Sequence, residues 1–317
     1  MPDLADLFPG YESRWIETSG GRIFARVSNG GGPPLLLLHG HPQSNVMWHG
    51  VAATLAQRFT LVIADLPGYG WSAAPPAQPD HAPYTKRAMA QAMVEAMETL
   101  GFIRFRLAGH DRGGRVGYRL ALDHPGRLER LAVLDIVTTW DMWHRMDARL
   151  ASRAWHWMFL ALAQPFPERL IAHDPKYFFD YRATAGAKAQ SVDFFDARAL
   201  AHYHAAYQDP QRIHAMCEDY RAGRTSDLEH DEADRAAGKK IGCPVLALWG
   251  AQGLPANAGL DPLACWRDWA SDLRGSPVAS GHYLPEENPA ATAQALLDFF
   301  NASGADLTFA AHPAANS

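Results

Sequence analysis

The chain has 317 residues and a net charge of −5, so it can bury a large core and lacks the basic excess typical of nucleic-acid binding. Its three cysteines (Cys217, Cys243, Cys265) form neither a disulfide framework nor a zinc pattern, which favours a reducing cytoplasm. The first residues do not have the pattern of a signal peptide, and no apolar run approaches the ~18 residues of a membrane span. We therefore expect a cytoplasmic globular protein that binds neither nucleic acid nor membrane.

The first part of the chain predicts strands that alternate with helices. Two strands are expected in 11–27, and three apolar strands are expected at 35–38, 60–64 and 131–136. Helical spacing of apolar residues predicts helices at 51–57 and 86–100. This alternation predicts an α/β protein with a doubly wound, mostly parallel sheet whose site lies at the carboxyl ends of the strands.

Residues 138–235 have a different character, with many aromatic residues and histidines at helical spacings and no buried strand run. We predict an inserted all-helical cap for this segment. The α/β pattern resumes with strands at 244–250 and 276–279 and helices at 266–273 and 290–300. The predicted core therefore comprises 1–137 and 236–305, and the alanine-rich tail 306–317 is expected to be disordered.

One segment has the spacing of a nucleophile elbow, in which a reactive side chain stands on a sharp turn between a strand and a helix. The apolar run 105–108 leads into Gly109, Asp111 and Gly113, and a helical pattern follows. Glycines are needed on both sides because side chains there would clash with the backbone of the turn. Asp111 stands where such elbows usually carry serine. The alternative is an ordinary helix N-cap, where aspartate is also common.

Asp111 is followed by a second acid and a histidine, the order in which α/β-hydrolases place nucleophile, orienting acid and base. His282 follows a glycine after the last predicted strand. Asp135 lies at the end of the strand after the elbow helix. After the next strand, the first acid is Asp261, which is too far along the chain. We therefore predict an α/β-hydrolase fold in which Asp135 orients His282.

An aspartate nucleophile predicts displacement at saturated carbon, because a carboxylate is a poor catalyst of acyl transfer. The resulting ester would be hydrolysed by water that His282 deprotonates. The chain resembles the epoxide hydrolase and haloalkane dehalogenase branch of the α/β-hydrolases, and more finely the fluoroacetate dehalogenases. The resemblance covers about residues 7–300 and rests on HGHPQ at 39–43, DLPGYG at 65–70, GHDRG at 109–113 and GH at 281–282.

The resemblance implies that Arg112 and Arg115 bind a substrate carboxylate, which arginine holds with two parallel hydrogen bonds. Haloalkane dehalogenases typically carry tryptophan in place of Arg112. The backbone N–H groups of His41 and Arg112 would form the oxyanion hole. An alternative is that the arginines only neutralise Asp111 or face solvent, but a buried arginine pair without an anion would be costly.

The resemblance further implies that His156, Trp157 and Tyr220 donate hydrogen bonds to a departing halide. Without the resemblance, the simpler interpretation would be that these three side chains pack within a helical lid. Fluoroacetate would be converted to glycolate with inversion at carbon, by a homodimer that needs no metal or organic cofactor. One departure is His41, because the family usually carries phenylalanine there. His39 and His110 flank the site and are interpreted as structural.

Three other functions fit parts of the pattern. An epoxide hydrolase would use the same Asp111, Asp135 and His282, with Tyr220 protonating the epoxide oxygen. A dehalogenase of 2-chloro- or 2-bromoacids with little activity on C–F bonds fits equally well. A non-catalytic receptor on the same fold would have no need of the complete catalytic set.

Overall fold

An eight-stranded, mostly parallel sheet forms the centre of the computed structural model, which describes residues 4–302. The strand order is β1-β2-β4-β3-β5-β6-β7-β8; the β1–β2 and β2–β4 pairs are antiparallel, and the other neighbouring pairs are parallel. The predicted doubly wound sheet is confirmed. The strands are β1 (Glu12–Ile16), β2 (Ile23–Val27), β3 (Pro34–Leu38), β4 (Thr60–Ala64), β5 (Phe105–His110), β6 (Leu128–Leu134), β7 (Val245–Gly250) and β8 (Leu273–Val278).

The central strands are apolar throughout because helices cover both faces of a parallel sheet. All five residues of β4 are buried, as are the four leucines of β3. The helix α1 packs against α15, and α2 packs against α3. The helices before and after the inserted segment are α1 (His49–Leu55), α2 (Lys86–Thr99), α3 (Arg112–Asp123), α12 (Leu254–Asn257), α13 (Pro262–Arg267), α14 (Leu284–Glu287) and α15 (Pro289–Asn301).

Eight further helices follow one another between β6 and β7. The longest of them, α10, packs against α6, α7, α9 and α11. The division into a core of 1–137 and 236–305 and a cap of 138–235 stays a prediction. The eight helices are α4 (Thr139–His144), α5 (Ala148–Arg153), α6 (Trp155–Leu160), α7 (Phe166–His173), α8 (Pro175–Gly186), α9 (Ala197–Tyr207), α10 (Pro210–Arg224) and α11 (Ser226–Ala236).

The helix predicted at 266–273 is misplaced. It begins at Pro262 and ends at Arg267, and Leu273 is already the first residue of β8. The side chain of Asp261 caps the helix by accepting a hydrogen bond from the Ala264 N–H (3.1 Å). The predicted tail 306–317 lies outside the described residues. None of the helices within 4–302 is long and apolar enough to cross a lipid bilayer.

Candidate active site

Asp111 stands on a strained turn between β5 and α3. Its backbone has φ +45° and ψ −112°, a conformation that non-glycine residues rarely adopt. A Cβ atom at Gly109 would overlap the main chain of Gly113, and a Cβ at Gly113 would lie 2.5 Å from the carbonyl oxygens of Leu38 and His39. The glycine spacing therefore reflects close backbone approach, as the elbow interpretation predicts.

The Asp111 carboxylate faces the site instead of capping its helix. It accepts no capping hydrogen bond from α3, although Asp111 occupies the N-cap position. Its Oδ1 accepts a hydrogen bond from the backbone N–H of His41 at 2.9 Å. Burial alone would raise the pKa of Asp111, but the positive charge of Arg112, with further cations around it, holds the pKa well below its ordinary value. Asp111 is therefore a carboxylate at neutral pH.

Asp135 and His282 form a hydrogen-bonded pair beside this turn. The Asp135 Oδ2 lies 2.6 Å from Nδ1 of His282, and both side chains are buried. Asp135 also accepts hydrogen bonds from the backbone N–H groups of Gly250 (2.9 Å) and Leu254 (3.2 Å). The Nε2 atom of His282 is buried and has no hydrogen-bond partner among residues 4–302. The pair therefore leaves one imidazole nitrogen free for a ligand or water.

Arg112 and Arg115 are both buried on α3. In the described part of the chain, none of the three guanidinium nitrogens of Arg112 has a hydrogen-bond partner, and the nearest carboxylate oxygen, on Asp219, is 3.7 Å from Nη1. Arg115 donates to the Thr139 hydroxyl (3.2 Å) and forms no ion pair within residues 4–302. Burial lowers the pKa of Arg115, as is expected of a cation without a paired carboxylate. The two guanidiniums have unused capacity for an anion.

The inserted helices bring aromatic side chains over these arginines. The Arg112 guanidinium carbon lies 3.4 Å from the ring centroid of Tyr220, and Arg112 and Arg115 lie 4.8 and 4.5 Å from the centroid of Trp157. The Tyr220 hydroxyl and the Nδ1 of His156 are buried, and neither has a hydrogen-bond partner among the residues that the structure describes. Burial raises the pKa of Tyr220 to about 12, so its hydroxyl keeps the proton and is a donor.

All the predicted site residues therefore surround one centre in the structure. Their contacts join β3, β5, β6 and the β8–α14 connection to helices α6 and α10 of the insertion. The set consists of His41, Asp111, Arg112, Arg115, Asp135, His156, Trp157, Tyr220 and His282.

Comparison with known proteins identifies the family. Residues 33–289 match the family described as the alpha/beta hydrolase fold. The chain belongs to the α/β-hydrolase family. Within it, a fluoroacetate dehalogenase from Burkholderia sp. is 42% identical over 295 residues, which cover 93% of this chain and 95% of that protein. A soluble epoxide hydrolase from Corynebacterium sp. (strain C12) is 30% identical over 279 residues, which cover 86% of this chain and 92% of that protein.

Similar solved structures support the same family. A protein from Pseudomonas aeruginosa that is provisionally named an epoxide hydrolase superposes with a TM-score of 0.87 at 43% identity, covering 94% of this chain and 97% of that one. Cfl2 from Burkholderia cenocepacia superposes with a TM-score of 0.82 at 28% identity, covering 95% and 98%. This α/β-hydrolase therefore lies in the branch that holds fluoroacetate dehalogenases, haloalkane dehalogenases and epoxide hydrolases.

His41, the departure from the family pattern, is buried within the site of this α/β-hydrolase. Its ring stacks on that of His156 with centroids 6.2 Å apart and meets the edge of Tyr220 at 5.3 Å. Burial lowers the pKa of His41 well below its ordinary value, and the charge of Arg182 adds to this effect. The ring is therefore neutral, and its Nδ1 has no partner.

Two histidines that flank the site bond to main-chain atoms. His39 Nε2 accepts a hydrogen bond from the Leu66 N–H (3.0 Å), and His110 Nε2 lies 2.7 Å from the carbonyl oxygen of His282. Burial lowers the pKa of His39 to about 4 and that of His110 to about 3. Both rings are therefore neutral supports of the loops that carry Leu66 and His282.

A buried network behind Arg112 was not predicted from the sequence of this α/β-hydrolase. Asp219 accepts a hydrogen bond from the Tyr69 hydroxyl (2.6 Å), pairs with Lys86 and faces Arg112. It joins the loop after β4, the start of α2 and helix α10. The only local signal was that Asp219 precedes Tyr220 and that Tyr69 belongs to the DLPGYG motif.

Arg182 was also missed. It lies on α8, is only 5% exposed, and lines a cleft of about 220 Å³ together with His156 and His282. Gln252, which is exposed, and Asn257, which is half-buried, also line this cleft. The cleft connects the solvent to the side of the site on which His282 lies.

Proposed function

We propose that this α/β-hydrolase hydrolyses the carbon–halogen bond of short 2-haloacids such as fluoroacetate and chloroacetate. The observation that carries the proposal is the Asp111 carboxylate on an elbow beside two buried guanidiniums with unused hydrogen-bonding capacity. An uncharged substrate would leave Arg115 without an anion and the buried hydrogen-bond donors of both guanidiniums unused, which is costly. A substrate carboxylate would satisfy them.

In the first step, an oxygen of Asp111 attacks the carbon that bears the halogen. The C–O bond forms as the C–halogen bond breaks, and the electron pair leaves with the halide. In-line attack inverts the configuration at that carbon. The low pKa of Asp111 supports this role because the attacking group is already a carboxylate.

In the second step, water attacks the carboxyl carbon of the Asp111 ester. His282, held by Asp135 through Nδ1, takes the proton of that water at its free Nε2. Negative charge develops on the ester carbonyl oxygen, which we identify with Oδ1. When this oxyanion collapses, the bond from the carboxyl carbon to Oδ2 breaks, and the 2-hydroxyacid leaves with the proton that His282 returns to its alkoxide oxygen. The His41 N–H already donates to this atom, and the N–H of Arg112, the first amide of α3, has no intrahelical partner.

The Arg115→Gln variant tests the carboxylate site. We expect kcat/KM for chloroacetate to fall about 10- to 100-fold, because a charge-assisted hydrogen bond contributes about 1.5–3 kcal/mol. Activity on 2-chloroacetamide, which lacks the carboxylate, is expected to change little. The measurement is chloride release from both compounds by the same enzyme preparation.

Comparison of two substrates in one preparation cancels any loss of folded protein. Arg115→Lys keeps the charge but not the planar fork and is expected to be intermediate. Equal losses on chloroacetate and chloroacetamide would contradict the assignment of Arg115 to the carboxylate.

We also propose that His156, Trp157 and Tyr220 bind the leaving halide, with 138–235 acting as a cap that brings them to the site. The partnerless Tyr220 hydroxyl supports this proposal. Fluoride leaves poorly and needs several donors. In Tyr220→Phe we therefore expect fluoride release from fluoroacetate to fall about 100-fold and chloride release from chloroacetate to fall about tenfold or less. Ion-selective electrodes measure both halides.

Tyr177→Phe is the matched control, because Tyr177 lies on the same insertion and is exposed. Chloride release without fluoride release by the wild type would keep the mechanism but contradict the fluoride site. The enzyme would then be a chloro- or bromoacid dehalogenase. Equal losses of activity on fluoroacetate and chloroacetate in Tyr220→Phe would also contradict the fluoride site.

Epoxide hydrolysis is the second candidate, favoured by the 30% identical epoxide hydrolase and by the partnerless Tyr220 hydroxyl, which could protonate an epoxide oxygen. The two buried arginines weigh against it unless the epoxide carries a carboxylate. Absence of halide release from any haloacid, with diol formation from a terminal epoxide, would favour this candidate.

From the resemblance we further propose a homodimer that works in the cytoplasm. An exposed apolar face on α7 and α8 is available for association. Its side chains are Phe166, Leu170, Tyr177 and Tyr181. The three cysteines are free thiols, which agrees with a reducing compartment.

A further inference from the structure

Arg182 is a buried cation that the proposed mechanism leaves unused. Its Nε has no hydrogen-bond partner, and its guanidinium forms no ion pair within residues 4–302. The nearest acid along α8, Asp180, pairs with Lys176 (2.5 Å) and His204 (2.7 Å) instead. Because no carboxylate pairs directly with this guanidinium, it is able to bind an anion from outside the chain.

The surroundings of Arg182 are polar, and Arg153, which lines the same cleft, is exposed at its rim. Burial lowers the pKa of His41 and of His156 well below its ordinary value, and Arg182 strengthens both shifts. The two rings are therefore neutral. Their Nδ1 atoms and the hydroxyl of Tyr283 are buried without partners. Arg182 thus supplies the positive charge on the side of the site that faces the cleft.

The site contains more arginines than are needed to bind one carboxylate. A single substrate carboxylate would be held by Arg112 and Arg115, which leaves Arg182 free. Two chemistries supply a second anion there: another carboxylate on the same substrate, or the displaced halide after it leaves its donors His156, Trp157 and Tyr220.

We propose that Arg182, assisted by His41, binds a second anionic group in the site, distinct from the carboxylate held by Arg112 and Arg115. This inference rests on the proposed dehalogenation. It makes Arg182 a specificity-determining residue, either for 2-haloacids with a further carboxylate or for the retention of halide before its release through the cleft.

Arg182→Gln distinguishes the two sources. If the second anion is a carboxylate on the substrate, the ratio of kcat/KM for 2-chlorosuccinate to kcat/KM for 2-chloropropionate is expected to fall at least tenfold in the variant. If the second anion is the displaced halide, the constant for inhibition of chloroacetate turnover by bromide is expected to rise at least tenfold in the variant. Arg182→Lys is expected to restore part of either effect. Arg153→Gln removes a charge from the exposed rim of the same cleft and is expected to change neither quantity.

A folded and active Arg182→Gln enzyme with both quantities within twofold of the wild type would overturn the inference. Binding of bromide and chlorosuccinate is measured in parallel by calorimetry in Asp111→Asn, with and without Arg182→Gln. This readout needs no turnover. If the wild type released no halide from any haloacid, the proposed function would fail. Arg182-dependent binding of bromide or chlorosuccinate would then still support the anion site, and its absence would overturn it.

Discussion

The Asp111→Asn variant is expected to release no halide above background, a loss of at least about 10⁴-fold in kcat. The amide lacks the anionic oxygen that attacks carbon, but it keeps the shape of the side chain. It also keeps a carbonyl oxygen that can accept the 2.9 Å hydrogen bond from the His41 N–H. Asparagine tolerates the φ of +45° nearly as well as aspartate, so the elbow is expected to fold. Chloride release from chloroacetate is the measurement.

Asp141→Asn is the matched control for Asp111→Asn. Asp141 is buried and bonds Thr138 and Arg145 within the insertion, so the substitution removes a buried carboxylate without altering the elbow. We expect this control to retain chloride release. Substantial activity in Asp111→Asn, in protein whose intact mass excludes deamidation back to aspartate, would show that Asp111 is not the nucleophile.

The elbow and the order of its partners were predictable because each has a local signal in the chain. The G-x-D-x-G spacing at 109–113 predicts that main-chain segments pack too closely at the two glycines to leave room for a side chain. In the structure, a Cβ atom at either glycine would overlap neighbouring main-chain atoms. The position of Asp135 followed from the fold, since the carboxyl ends of parallel strands meet at one edge of the sheet. The 2.6 Å contact between Asp135 and His282 agrees with that prediction.

Arg182 and Asp219 could not be predicted in the same way. Each lies on a helix of the insertion, and its approach to the site depends on how α8 and α10 pack, which no spacing in the sequence specifies. The misplaced helix at 266–273 had a different cause. Asp261 followed by Pro262 is a local start signal, an N-cap before a proline at the first helical position, and the aromatic residues further along obscured it.

Replacement of His282 by glutamine is expected to stop the reaction halfway. Attack by Asp111 does not require the imidazole, so one halide per active site is released in a burst. Hydrolysis of the ester does require it, and steady-state kcat is expected to fall about 10²- to 10⁴-fold. The ester then accumulates. Mass spectrometry of the chloroacetate-treated variant is expected to show one added carboxymethyl group on the peptide that contains Asp111.

Comparison of Asp111→Asn with His282→Gln separates the two chemical steps. Asp111→Asn is expected to give neither burst nor adduct. Asp135→Asn is expected to give a weaker version of the His282→Gln result, because Asp135 orients the imidazole and stabilises its protonated form but the base itself remains. If folded His282→Gln gave no burst, His282 would be needed before the halide leaves. Water attacking the substrate directly, with His282 as its base, would then replace the ester mechanism, and oxygen-18 from labelled water would enter the product alone and never the Asp111 carboxylate.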